Sequence, residues 1–331
     1  MKAFDTFSSD IADPQPTPPR PPGSIRRTSH IDMSFPAEGG LHLTGTCRDL
    51  ATADHPQDGA DAQVLAQATV DASLDVDFVL TALETTGGDV AASALIGSLV
   101  RAGFRARVDQ AIPAEAQGSP LFVLLDDLPV ATLISGYARL YDGDLNKLQA
   151  DARANMTDVC SGWRADGLMI RSIGKTGGMP IPVGPDAPPP EAVDALAWHR
   201  LPPLPTGSMR RRRLIDVSAG AVEGFDIFAT FRDTFVGADG VQRVLHEYTL
   251  VGVVDADGCI ASCVATPRVL PWNECPHAAA SASGLVGQHA ADIRRAMRGV
   301  RGVGTCTHLN DLLRSLGDLD VLIKKLRPAH R

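Results

Sequence analysis

The sequence predicts an α+β fold built as a degenerate tandem repeat, in which each of two units joins an antiparallel sheet to two helices packed on one face. Two series of strand-like alternation, each followed by helical spacing, run through the chain. Short segments recur between the two series at a nearly constant offset. A Gly/Pro-rich stretch separates them. The organisation expected is a disordered Pro-rich tail (1–25), unit one, degenerate (26–140), an insertion (141–208) and unit two, which carries the Cys/His residues (209–331).

The tail contains QPTPPRPP and several acids and has no apolar run of the secretory kind. In unit one, Ile31-Asp32-Met33-Ser34 recurs as Ile215-Asp216-Val217-Ser218, an offset of 184 (215 − 31). At that offset GLHLTGTCRD (40–49) meets GFDIFATFRD (224–233), and LDDL (125–128) meets LNDL (309–312). Val64-Leu65 and LDVD (74–77) meet Val244-Leu245 and VDAD (254–257) at 180, so a small deletion and a later insertion reconcile the offsets. The insertion carries GGMPIPVGP (177–185), Pro188-Pro189-Pro190 and two of the three tryptophans, Trp163 and Trp198. A long loop of this kind is expected to lie across the surface and help wall a pocket. In unit two, strands are expected over 225–231, 248–254 and 259–265, with a turn at Asp257-Gly258. A helix is expected over 276–297, with Pro276 at its first position, and another over 309–326, stopped by Pro328. Two such units side by side make a pseudo-dimer, so the chain is expected as a monomer or a homodimer.

At 331 residues and 44% apolar composition the chain can bury a core, and its net charge of −8 argues against nucleic-acid binding. The run Arg210-Arg211-Arg212-Arg213 reads as a solvated strand start or as a carboxylate or phosphate clamp. No run approaches the roughly 20 apolar residues of a membrane span. Six cysteines in a chain this long do not form a disulfide framework, which places the protein in the cytoplasm with reduced thiols.

The chemistry-bearing side chains concentrate in unit two. His246, Cys275, Cys306 and His308 face Ala66, Ala91, Phe122 and Leu124 of unit one. Cys275 and Cys306 each precede an expected helix, where unpaired N–H groups stabilise a thiolate; the alternative is an inert buried thiol. Cys275, Cys306 and His308 supply three ligands for zinc or iron, with His246 or Asp311 as a fourth. No C-x-x-C occurs, and Cys259-x-x-x-Cys263 places two thiols on one face of a strand. An acid–base reading uses His246, Glu247 and His308, with Cys306 as nucleophile or spectator. Arg232 would then hold a substrate carboxylate, with Trp163 and Trp272 lining its site. Because Arg48-Asp49 matches Arg232-Asp233, a structural pair is the stronger reading there. No Gly-rich phosphate loop and no G-x-S-x-G elbow is present, so no nucleotide cofactor is expected, and DADG (255–258) fits a hairpin better than a calcium loop.

Arg211-Arg212-Arg213 before a strand, His246 with a following acid, Cys275-Pro276 and Gly304-x-Cys306-Thr307-His308-Leu309 resemble an uncharacterised bacterial domain-of-unknown-function family over about 210–318. Thr305 departs from the Gly-Cys step of that family. The order of strands, Cys, Ala/Ser-rich helix and Cys–His pair more distantly resembles NifU-type iron–sulfur scaffold proteins, although the adjacent His-Cys of those scaffolds is spaced differently here. The first resemblance implies a gene neighbourhood of aromatic or acyl catabolism. The expected function is a catabolic enzyme, a lyase or decarboxylase acting on a small aromatic or acyl carboxylate. The alternatives are a non-catalytic metal- or iron–sulfur-binding protein and a ligand-binding module with packed Cys and His.

Overall fold

The computed structural model describes residues 13–54, 62–88, 91–141, 156–176, 179–190, 193–220 and 223–329. Eight strands form one antiparallel sheet: β1 (Ser24–Ser34), β2 (Leu41–Thr52), β3 (Ala62–Leu74), β4 (Leu80–Thr86), β5 (Met209–Ala219), β6 (Phe225–Val236), β7 (Gln242–Val254) and β8 (Ile260–Val269). Their order is β4-β3-β2-β1-β5-β6-β7-β8. The halves therefore do not make two sheets packed side by side. The β1 edge pairs with the β5 edge, Ser29 facing Arg213, and neither edge is left with unpaired N–H and C=O groups.

The halves share further details. β2 and β6 each shift register after an Asp, at Asp49/Leu50 and Asp233/Thr234. Each outer hairpin is tied by an Asp whose Oδ1 accepts two backbone N–H groups: Asp75 from Asp77 and Val79, Asp255 from Asp257 and Cys259. The DADG stretch is thus a hairpin turn.

Helices cover one face: α1 (Phe104–Ala111), α2 (Pro120–Tyr141), α3 (Leu168–Thr176), α4 (Ile293–Ala296), α5 (Thr307–Ser315) and α6 (Leu319–Ala329). α2 has the length and hydropathy of a membrane span, but its most apolar window is 78% buried and supplies the N-terminal core. Two expected helices are corrected. The stretch 276–297 is mostly a 3-10 run, Cys275–Leu285, because Ala, Ser and Gly there offer no wide apolar stripe; α4 is one turn. The stretch 309–326 begins earlier, at Thr307, is split by the 3-10 turn Leu316–Asp318, with Gly317 tight against Arg294, and runs through Pro328 to Ala329, a correction to the expected stop.

Two apolar cores lie under the helices, one in each half. Between them runs a chain of buried ion pairs. Arg27 meets Asp49 (2.6 Å) and Asp318 (3.1 Å), and Lys325 meets Asp49 (2.5 Å). Arg294 meets Asp318 and Asp126, and Arg314 also meets Asp126 (2.7 Å). Arg105 and Arg213 meet Asp311, both at 2.6 Å, and Arg213 meets Asp127 at 2.9 Å.

The other face of the sheet is also covered, by residues 13–22, 185–190 and 193–208. Trp198 Nε1 donates to Thr17 Oγ1, Arg26 donates to the carbonyls of Pro18 and Pro19, and Arg20 pairs with Asp194. Residues 13–25 are thus ordered, because extended proline segments leave their carbonyls free for buried arginines; residues 1–12 of the expected tail lie outside the described residues. The run Arg210–Arg213 is buried throughout, a correction to the solvated reading. Alternation sends Arg211 and Arg213 to the helix face and Arg210 and Arg212 to the other, and both faces are covered.

Candidate metal centre

The register of β6 and β7 and the start of α5 assemble the site. Asp233 on β6 is the cross-strand partner of His246 on β7, at the point where the register shifts. Cys306 is the N-cap of α5, with extended backbone (φ −128°, ψ 127°), and places His308 in the first turn. Leu309, Leu312 and Leu313 bury in the C-terminal core, which turns His308 and Asp311, three residues apart, toward the sheet.

His246 Nδ1 lies 3.2 Å from Asp233 Oδ2, and His308 Nε2 lies 3.9 Å from the same oxygen. The imidazoles stack at 3.8 Å between centroids, and Phe231 stacks beyond His308 at 6.2 Å. Ligand atoms of Asp233, His246 and His308 all lie within 4.8 Å of one another, the one such group among the described residues. Asp233 is fully buried and its Oδ1 lacks a hydrogen-bond partner, whereas the side chains of His246 and His308 are 14% and 20% exposed. Burial first, then His246 and Arg211, holds His308 well below the usual imidazole range and keeps it neutral at pH 7, the form that ligates metals.

The same sheet positions in the N-terminal half are closed. Arg27 and Asp49 are cross-strand partners as Arg211 and Asp233 are. Arg27 donates from Nε and Nη2 to both oxygens of Asp49, and Lys325 adds a third donor. Ala66 stands across from Asp49 where His246 stands across from Asp233. Arg211 instead stays 3.6 Å from Asp233, which leaves that carboxylate facing two imidazoles.

The expected site residues thus divide. His246 and His308 come together. Glu247 and Arg232 lie on the opposite face, joined by Arg232 Nε–H to Glu247 (2.7 Å), and both bind the backbone of Gln15. Strand parity separates them from their neighbours His246 and Asp233. Cys275 and Cys306 do not belong to the ligand group. Burial pushes the Cys306 thiol up to about 11 and the Cys275 thiol well above its ordinary value, so desolvation outweighs the helix-terminal N–H groups expected to favour thiolates. Gly162 packs against the Cys275 sulfur and Trp272, and Trp272 and the partly buried Trp163 belong to the C-terminal core. Asp233 carries no sequence signal that separates it from Asp49; its role comes from its cross-strand neighbour.

Residues 209–322 match the family described as "Protein of unknown function (DUF2889)". That match takes in Asp233, His246 and His308 and about a third of the chain. No curated protein and no solved structure matches the chain, so the likeness to NifU-type scaffolds gains no support.

Proposed function

We propose that this protein is a metal-dependent catabolic enzyme, a lyase or decarboxylase acting on a small aromatic or acyl carboxylate, with Asp233, His246 and His308 holding one divalent transition-metal ion. The observation that carries the metal reading is the convergence of two imidazole nitrogens on one buried carboxylate oxygen, Asp233 Oδ2, while Oδ1, 3.6 Å from Arg211 Nη1, accepts no hydrogen bond. A burial that costs about 1–3 kcal/mol per unmet polar group points to a missing partner. Two His and one carboxylate suit Fe(II) or Zn(II), and three protein ligands leave positions open, the property that separates catalytic from structural sites. A bound ion would supply Lewis-acid polarisation of a substrate oxygen. The catabolic and carboxylate parts of the reading rest on the family resemblance. The six free cysteines fit a reducing compartment such as the cytoplasm.

We further propose that the sheet arose by duplication. The paired edges β1 and β5, the matched register shifts and the two Asp-tied hairpins support it. In that history one half kept a closed Arg–Asp pair and the other opened its counterpart.

Metal analysis tests the centre. Wild-type protein loaded with Zn(II) or Fe(II) and desalted is expected to retain about one equivalent. Loss of a direct ligand should cost at least the roughly 100-fold that loss of an outer-sphere partner can cost, so Asp233→Asn, His246→Ala and His308→Ala should fail to retain it. Cys275→Ala and Cys306→Ala should retain it. The opposite pattern would move the centre to the thiols and refute this reading. A second reading follows from the 3.2 Å His246–Asp233 contact, an acid–base dyad with His246 oriented by the carboxylate. Turnover surviving complete metal removal would favour it.

A further inference from the structure

We infer that Arg211 is the group that receives the carboxylate of the substrate, beside the metal held by Asp233, His246 and His308; this rests on the metal reading above and adds the residue that recognises the ligand. Arg211 is 2% exposed, yet Nε, Nη1 and Nη2 all lack a hydrogen-bond acceptor among the described residues. Its counterpart Arg27 is engaged in a two-pronged bond to Asp49. Two carboxylates lie near Arg211, and neither makes a hydrogen bond to it. Asp311 Oδ1 accepts from Arg105 and Oδ2 from Arg213, each at 2.6 Å, so Arg211 at 3.1 Å is a third claimant without hydrogen-bond geometry. Asp233 Oδ1 lies 3.6 Å from Nη1, beyond hydrogen-bond distance, while Oδ2 faces the imidazoles. The Arg211 Cζ sits over the Phe231 ring at 4.9 Å, a contact that uses no N–H donor.

Charge points the same way. Among the described residues, the ion-pair chain that includes Arg211 joins seven cations (Arg27, Arg105, Arg211, Arg213, Arg294, Arg314, Lys325) to six carboxylates (Asp49, Asp126, Asp127, Asp233, Asp311, Asp318). A divalent ion would raise that positive excess, so the ligand completing the site should be an anion. A planar fork with buried, unused N–H groups matches a carboxylate in two-pronged geometry better than a point charge would. His246 and His308 reach solvent while Asp233 and Arg211 lie beneath them, which makes the imidazole side the approach.

The test uses Co(II)-loaded full-length protein and the visible Co(II) spectrum, titrated with acetate, benzoate and inorganic phosphate. Acetate or benzoate should shift the spectrum of the wild type saturably. Arg211→Lys should weaken that response roughly 10- to 100-fold, the size expected for losing charged hydrogen bonds, and Arg211→Met should abolish it. Both variants should still bind Co(II) at least as tightly as wild type, because they remove a cation beside Asp233. Removing Arg211 also leaves six cations against six carboxylates, so Co(II) binding and far-UV circular dichroism report an intact fold. A carboxylate response equal in wild type and Arg211→Met refutes the inference while sparing the metal reading. So does a wild type that responds to phosphate alone or to no anion, the result if water fills the site. Absence of Co(II) binding defeats the metal reading and this inference together.

Discussion

Replacing Asp126 with Ala should lower stability by about 3–5 kcal/mol, the usual cost of stripping one side from a buried ion pair. Asp126 on α2 is buried and accepts from Arg294 on α4 and from both Nε and Nη2 of Arg314 on α5, so it ties the helices of one half to those of the other. Without it buried Arg314 loses its countercharge, and Arg294 keeps only Asp318 among the described residues. Arginine cannot neutralise itself by losing a proton near pH 7, so the penalty has no easy escape. In a chain this long such a loss corresponds to a fall in melting temperature on the order of 10 °C. Denaturant unfolding at pH 7 checks it, and a change under 1 kcal/mol would show that water replaces the carboxylate. The three arginines Arg105, Arg294 and Arg314 hold Asp126 far below the ordinary carboxylate range against the burial that opposes them. Its folded value is depressed, so its contribution is complete above about pH 4 and fades as pH falls below that. Asp127 carries the opposite sign: burial raises it despite Arg213 and Arg211, so ionised Asp127 costs stability at neutral pH and that cost eases on acidification. The pairs therefore specify how the halves meet more than they add net stability. An apolar substitute of matching shape could be as stable.

Between pH 7 and pH 5 the protein should lose about 3–4 kcal/mol of stability through one buried histidine pair, since each proton excluded from the fold costs about 1.4 kcal/mol per pH unit below its unfolded pKa. His30 Nδ1 and His199 Nε2 lie 2.6 Å apart, and His199 Nδ1 is 2.8 Å from Thr28 Oγ1. A contact that short between two ring nitrogens holds one proton, with one ring donating and the other accepting. A second proton would set two N–H groups against each other. Burial and the nearby arginines Arg48, Arg210 and Arg212 hold His199 down to about 3, and His30 is likewise held well below its ordinary value by burial, His199 and the last two arginines. Both folded values are depressed, so the unfolded chain binds the extra protons and stability falls as pH drops through about 6.5. Ordinary carboxylates titrate lower, and His308, likewise held down by burial, supplies a smaller part of the slope in this window. The His30→Gln/His199→Gln double variant should remove more than half of the slope measured by urea unfolding at a series of pH values. An unchanged slope would disprove the assignment.

Strand alternation placed three strands of the C-terminal half in the sequence, and offset repetition paired them with stretches of the N-terminal half. His246 and His308 stood out because Ala66 and Leu124 occupy the corresponding places in the repeat alignment. Asp233 was legible only as half of Arg232-Asp233. A strand sends adjacent side chains to opposite faces, so that dipeptide contributes Arg232 to the proline-covered face and Asp233 to the candidate centre. The state of the thiols was not legible for a different reason. A helix-terminal Cys is read as activated from sequence, but activation depends on exposure, and Cys275 and Cys306 are buried.

The amino-acid sequence by itself determined the α+β class, the positions of three C-terminal strands and the concentration of Cys and His side chains in the C-terminal half, because these follow from periodicity and residue type along the chain. Only the tertiary structure decided that β1 and β5 join the halves into one sheet, that four consecutive arginines are all buried, and that Asp233 rather than a cysteine completes the His pair. Those outcomes depend on strand register, on which faces are covered and on contacts between residues far apart in sequence, and no local pattern encodes any of them.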